Sequence, residues 1–170
     1  MKFYFSYISL FLVLFACGVK KQQGEAIVPS KTDFTYIEKF HKAVRYKQMG
    51  QFQNAITTFE DCAVMRPNDD AVQYALSQLY LQTQQLAKSS VAIQKAVKID
   101  PKNKWYLQEL AYMQFESGNF KEAAKCFKTL SENEAKNVEW LFSYAEALMR
   151  SNDLPAAVKA LDKLEGEIGL

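Results

Sequence analysis

His41 is the single histidine, and Cys17, Cys62 and Cys126 are the only cysteines, in a chain of 170 residues, so acid–base, nucleophilic and metal chemistry have little to draw on. A histidine works as a general acid or base when a partner orients it. His41 stands between Phe40 and Lys42 and is read as a surface or groove residue. The chain carries no glycine-rich phosphate loop, paired-carboxylate motif or serine elbow. Its histidine and cysteine spacing matches no metal-ligand pattern. No catalytic residue, metal or cofactor is assigned, and the chain is read as a binding protein rather than an enzyme, with no small-molecule substrate.

Composition sets the frame for whatever is bound. With 49% hydrophobic and 14% aromatic residues the chain fills one folded domain. Its net charge is +2, and loss of Lys2 with the leader would take this to +1, too little for a phosphate-tracking surface. Residues 1–16 read as a signal peptide, Lys2 followed by an apolar run from Phe3 to Ala16 that only Ser6 and Ser9 interrupt. Leu14-Phe15-Ala16-Cys17-Gly18 resembles the bacterial lipobox, although Phe15 is bulkier than lipoboxes usually carry there. The resemblance implies acylation of Cys17, anchoring in a lipid bilayer and an envelope location. Gly18 after the cysteine favours the outer membrane by analogy with enterobacterial sorting. An uncleaved anchor stays open, since the stretch from Phe3 to Val19 just reaches the lower limit for a spanning helix, about 17 residues. Residues 17–33 read as a flexible tether in which Ala26, Ile27 and Val28 form the one apolar group.

The elements that must position any site follow from an internal repeat. Pro67 and Pro101 each follow an apolar helical run, and the interval between them is that of a repeated helix pair, about 34 residues. Counting back from Pro67 gives Phe59, Ala55, Phe52, Gly50 and Tyr46, and the same offsets from Pro101 give Ile93, Ser89, Leu86, Gln84 and Tyr80. A further step gives Phe127, Ala123, Phe120, Gly118 and Gln114, and a fourth gives Leu161, Ala157, Leu154, Asn152 and Leu148. Gly50 and Gly118, with Asn152 as the next best residue, suit left-handed helix ends. Ala55, Ala123 and Ala157 suit close helix crossings, with Phe52, Phe59, Phe120, Phe127, Leu154 and Leu161 filling the space around them. Ser89 is a milder substitute for alanine. The stretches Met49-Gly50-Gln51-Phe52-Gln53-Asn54-Ala55 and Ser117-Gly118-Asn119-Phe120-Lys121-Glu122-Ala123 resemble the tetratricopeptide-repeat family. That resemblance implies an all-α fold, a right-handed superhelical solenoid of about four helix-turn-helix units within residues 34–170. The repeats would run 36–69, 70–103, 104–137 and 138–170. Stacking holds Cys62 and Cys126, nearly two repeats apart, beyond disulfide reach.

The resemblance also implies a concave groove lined by the first helix of each unit. Its positions fall on Ile37, Phe40, Val44 and Lys47 in the first unit, then on Ala71, Tyr74, Gln78 and Leu81 in the second. The third contributes Trp105, Gln108, Tyr112 and Phe115, and the fourth Glu139, Phe142, Glu146 and Met149. Five large aromatics, Phe40, Tyr74, Trp105, Tyr112 and Phe142, would make a partner site for a protein or an extended peptide. Packing of the same rings into the core is the alternative. The lysines and asparagines with which some family members clamp a peptide carboxylate are replaced here by Phe40, Val44 and Leu81. Nucleic-acid binding would need basic residues between the aromatics, and the groove offers few beyond Lys47 and Arg150.

The expected function is therefore a membrane-anchored scaffold holding a peptide or protein in an envelope assembly or secretion complex. A second reading makes the chain the N-terminal recruiting part, or a relative, of a longer lipoprotein with an OmpA-like peptidoglycan-binding domain. The run Tyr144-Ala145-Glu146-Ala147-Leu148-Met149-Arg150 is similar to repeats of that group. The family's additional polar helix does not follow the last unit before Leu170. That leaves an exposed end available for self-association through the C-terminal helix.

Overall fold

The computed structural model describes residues 31–135 and 137–169. The leader, the lipobox, Cys17 and the tether up to residue 30 lie outside the described residues. Eight helices and no strand are found among those described: α1 (Lys31–Gln48), α2 (Phe52–Met65), α3 (Asp70–Gln82), α4 (Leu86–Ile99), α5 (Lys104–Glu116), α6 (Phe120–Asn133), α7 (Val138–Arg150) and α8 (Leu154–Ile168). None is long and apolar enough to cross a membrane. Each helix packs against its neighbours in sequence, giving four helix pairs in a row.

One turn recurs inside every pair. The first helix ends in a residue with positive φ, at Gly50 (72°), Gln84 (60°), Gly118 (76°) and Asn152 (63°), one repeat interval separating each from the next. The next amide reaches back to a carbonyl five residues earlier: Gln51 to Tyr46 at 2.9 Å, Gln85 to Tyr80 at 2.7 Å, Asn119 to Gln114 at 2.8 Å and Asp153 to Leu148 at 3.0 Å. These are Schellman ends, which use up carbonyls the helix leaves unpaired and turn the chain back on itself. The turns between pairs rest on another residue series at the same interval. Asp69, Asn103 and Asn137 accept the backbone N–H of Val72, Trp105 and Glu139, each at 3.1 Å, and so cap α3, α5 and α7.

The core follows the same rhythm. Ala55, Ala123 and Ala157 are buried where the two helices of a pair cross, and Phe59 and Phe127 are buried beside them. One cluster gathers Phe59, Ile56 and Leu79 from the first two pairs, another Phe127, Leu130 and Leu148 from the last two. Ile93, Ala96, Tyr106 and Leu110 join them at the middle. Leu154 departs from the expectation that it fills space around a crossing and is 56% exposed. It is the first residue of α8, just after the turn from α7, and Leu86 at the same place in α4 is likewise exposed. Phe52 and Phe120, the matching residues of α2 and α6, are half-buried. The first helix also starts earlier than the tether reading places it. Residues 31–33 belong to α1, and Asp33 forms an ion pair with Arg66 at 2.5 Å.

A left-handed backbone costs a residue with a Cβ about 1–2 kcal/mol. A Cβ at Gly118 would meet nothing within 4 Å, so backbone strain alone decides the effect there. Gly118→Ala is expected to lower the unfolding free energy by about 1 kcal/mol. Gln84→Gly is expected to raise it by about 0.5–1 kcal/mol, the strain relieved less the entropy of a freer unfolded chain. Urea unfolding followed by circular dichroism checks both, and a destabilised Gln84→Gly protein would refute this account of the turn.

Candidate peptide groove

Because each turn reverses the chain by the same device, α1, α3, α5 and α7 present equivalent residues to one side. None of the sixteen groove positions is fully buried, and their exposure varies along the groove. Trp105 (58%), Phe142 (54%) and Tyr112 (46%) are the open aromatics. Phe40 and Val44 are half-buried and pack on the first core cluster, the Phe40 ring standing 5.6 Å from Phe59 in an edge-on arrangement. Phe115 packs likewise, 5.3 Å from Phe120 and 6.3 Å from Phe127. Tyr74 is half-buried, its ring 4.7 Å from that of Tyr106. Gln78, Gln108 and Glu146 are half-buried, and Glu146 is paired with Arg150 at 3.2 Å.

Only part of the expected groove converges. Tyr74, Leu81, Trp105, Gln108 and Tyr112 line one cavity of about 550 Å³ between α3 and α5, to which Leu86 and Ser90 of α4 also contribute. Phe40, Val44, Gln78, Phe115, Phe142 and Glu146 do not line that cavity. The cavity adds Glu109, Met113 and Glu116, which lie one place along α5 from Gln108, Tyr112 and Phe115.

Beneath the aromatic wall runs a buried polar chain. Ser89 is fully buried and donates to the carbonyl of Ser77 at 2.9 Å, its Oγ lying 3.2 Å from Ser77 Oγ. The buried Ser77 hydroxyl in turn donates to Glu109 Oε1. Above them, Lys47 Nζ donates to Gln78 Oε1 at 2.7 Å. Burial pushes the Glu109 carboxyl above its ordinary value, and the Ser77 hydrogen bond, the Lys47 charge and contacts from Gln78 and Tyr74 pull it back only in part. Burial also raises the Tyr74 hydroxyl, with the Glu109 charge adding to the effect. The sequence signal for this polar chain was Ser89 itself, a hydroxyl at a repeat position where alanine stands in three other units, which a buried site can hold only with a partner.

Among the described residues no group of three or more histidine, cysteine, aspartate or glutamate side chains is placed to hold a metal. Cys62 and Cys126 are both free thiols, and burial pushes Cys126 up to about 11, away from nucleophilic thiolate chemistry.

A carboxyl whose folded-state pKa is raised binds its proton more tightly when folded. Its stabilising contribution is full below the ordinary value of 4.5 and is lost as pH rises from there through the folded value. Glu109→Gln keeps an acceptor for Ser77 and removes the charge. It is expected to unfold at a higher temperature than the parent at neutral pH, with the advantage vanishing as pH falls below 4.5. Thermal unfolding across that range checks it, and a gap that widens on acidification would contradict the assignment.

Two family models described as tetratricopeptide repeat match residues 46–111 and 109–168. A search of curated proteins finds no match. Among solved structures, a MamA protein aligns with a TM-score of 0.63 at 14% identity, covering 78% of this chain and 72% of its own. MamA from Desulfovibrio magneticus RS-1 aligns with a TM-score of 0.60 at 14% identity, covering 81% and 76%. YrrB, described as a tetratricopeptide protein with an unusual peptide-binding site, aligns with a TM-score of 0.62 at 14% identity, covering 78% and 68%. At these identities the structural likeness speaks for the fold alone. The repeated turns, the buried alanines and both family models agree that the chain belongs to the tetratricopeptide-repeat family.

Proposed function

We propose that this chain is a membrane-anchored scaffold that holds an extended peptide segment of a partner protein in the groove of its first helices, within an assembly or secretion complex of a bacterial envelope. The observation that carries the reading is the cavity between α3 and α5 with Trp105 and Tyr112 left open on its wall. Large aromatics with one exposed face supply most of the binding energy at protein interfaces, because they bury much area while losing few rotamers. Gln108 at the cavity offers its amide to a peptide backbone. The peptide-binding description of YrrB, which shares the fold, is in keeping with such a use. Anchoring rests on Cys17 and its lipobox-like surroundings. Several acyl chains, each buried methylene contributing about 0.8 kcal/mol, make such attachment permanent on the timescale of binding.

Truncating each ring is expected to cost about 2 kcal/mol of binding, about 30-fold per residue. Trp105→Ala with Tyr112→Ala should therefore abolish recovery of crosslinked partners from the native host while the helical circular dichroism signal persists. Undiminished recovery would rule the groove out. For the anchor, Cys17→Ser is expected to eliminate incorporation of labelled palmitate and to release the protein from membranes; labelling that survives the substitution would place the lipid elsewhere or nowhere.

A further inference from the structure

The cavity is aromatic, and it is also negative. Its wall carries the carboxylates of Glu109 and Glu116 and no lysine, arginine or histidine. Two cations stand near it, and the charge of one, Lys47, already acts on Glu109. Lys47 is bonded to Gln78 at 2.7 Å, and Lys104 to Glu134 at 2.7 Å, neither partner belonging to the cavity wall. Lys104 Nζ lies 5.1 Å from the centroid of the Trp105 ring, within the range of a cation–π contact, and the ring remains 58% exposed.

We infer that the cavity between α3 and α5 is a specificity pocket for an arginine side chain of the bound peptide, stacked against Trp105 and Tyr112 with its guanidinium turned to Glu109 and Glu116. The inference rests on the groove reading above and names the chemistry that the groove selects. Three comparisons lead to it. An apolar side chain would fit the aromatic wall, but it would strip water from Glu109 and return no hydrogen bond, a penalty that a buried carboxylate makes severe. An acidic side chain would meet two like charges. A lysine ammonium would satisfy the charge as a point, whereas the planar guanidinium stacks on rings and offers separate N–H edges to two carboxylates. Glu109 is suited to this use, because Ser77 fixes its carboxyl from below while burial leaves its charge only partly compensated. An arriving cation completes that compensation.

The test is selection of phage-displayed random dodecapeptides on the immobilised full chain in detergent, compared between the parent, Glu109→Gln with Glu116→Gln, and Trp105→Ala with Tyr112→Ala. The parent is expected to enrich arginine at one peptide position at least tenfold over the naive library and over lysine at the same position. The Gln pair should lose that preference while still enriching peptides through its aromatic wall, and the Ala pair should enrich none. Apolar consensus peptides without arginine, equal enrichment of lysine, or an arginine preference that survives the Gln pair would each overturn the pocket and leave the groove standing. Peptide enrichment that the Ala pair does not diminish, or none by any of the three proteins, would overturn pocket and groove together. Circular dichroism spectra matching the parent confirm that each variant is folded.

Discussion

The left-handed residue at the end of each first helix is the constraint on which the rest of the structure depends. Once Gly50, Gln84, Gly118 and Asn152 adopt positive φ, the following amide can reach the carbonyl five residues back, and the second helix must leave at a fixed angle. Repeated in every unit, that one dihedral choice places each first helix on the same side of the stack. The groove is thus a product of backbone chemistry before any side chain is considered. Gln84 shows how strong the requirement is, since the turn is kept there despite a Cβ that disfavours it.

Within this frame the second and third units differ from the others. Where alanine would close the crossing, Ser89 brings in a hydroxyl that must be satisfied, and the route to satisfaction runs through Ser77 to Glu109. A hydroxyl buried without a partner costs about 1–3 kcal/mol, so the chain is either complete or a liability. Its outer end is a carboxylate at the cavity wall. The departure from the repeat inside the core and the charge at the surface are therefore one feature.

How much of this could be read from sequence depends on whether the property repeats. The helix pairs, their left-handed ends and the buried alanines all recur at the interval from Pro67 to Pro101, and each was legible. The caps at Asp69, Asn103 and Asn137 recur as well and were open to the same reasoning. Properties that belong to one place were not. Lys31 to Asp33 are helical with Asp33 on Arg66, a tertiary partner invisible in a polar stretch. Leu154 is exposed although its register matches the half-buried Phe52 and Phe120. Glu109 was overlooked because a groove drawn as one stripe per helix keeps Gln108 and omits its neighbour. Whether that neighbour faces a cavity depends on how far α3 and α5 stand apart, which repeat period does not encode.

That separation has its own physical cause. Of the packed junctions between pairs, α4 with α5 is the loosest and α6 with α7 the closest. At the close junction Ala135 replaces the proline of earlier units, and Glu134 gathers Lys104 at 2.7 Å and the Trp140 indole N–H at 3.0 Å. Lys104 in consequence holds the Glu134 carboxyl below the usual carboxylate range. At the loose junction the two pairs are joined instead through Tyr106, whose hydroxyl donates to Asp70 at 2.9 Å while its ring meets Tyr74. Two bulky rings and a half-buried carboxylate stand between α3 and α5. The space they leave is the cavity with Trp105 and Tyr112 on its wall. Tyr74 lines that space with apolar ring surface, which is what a site for another chain requires.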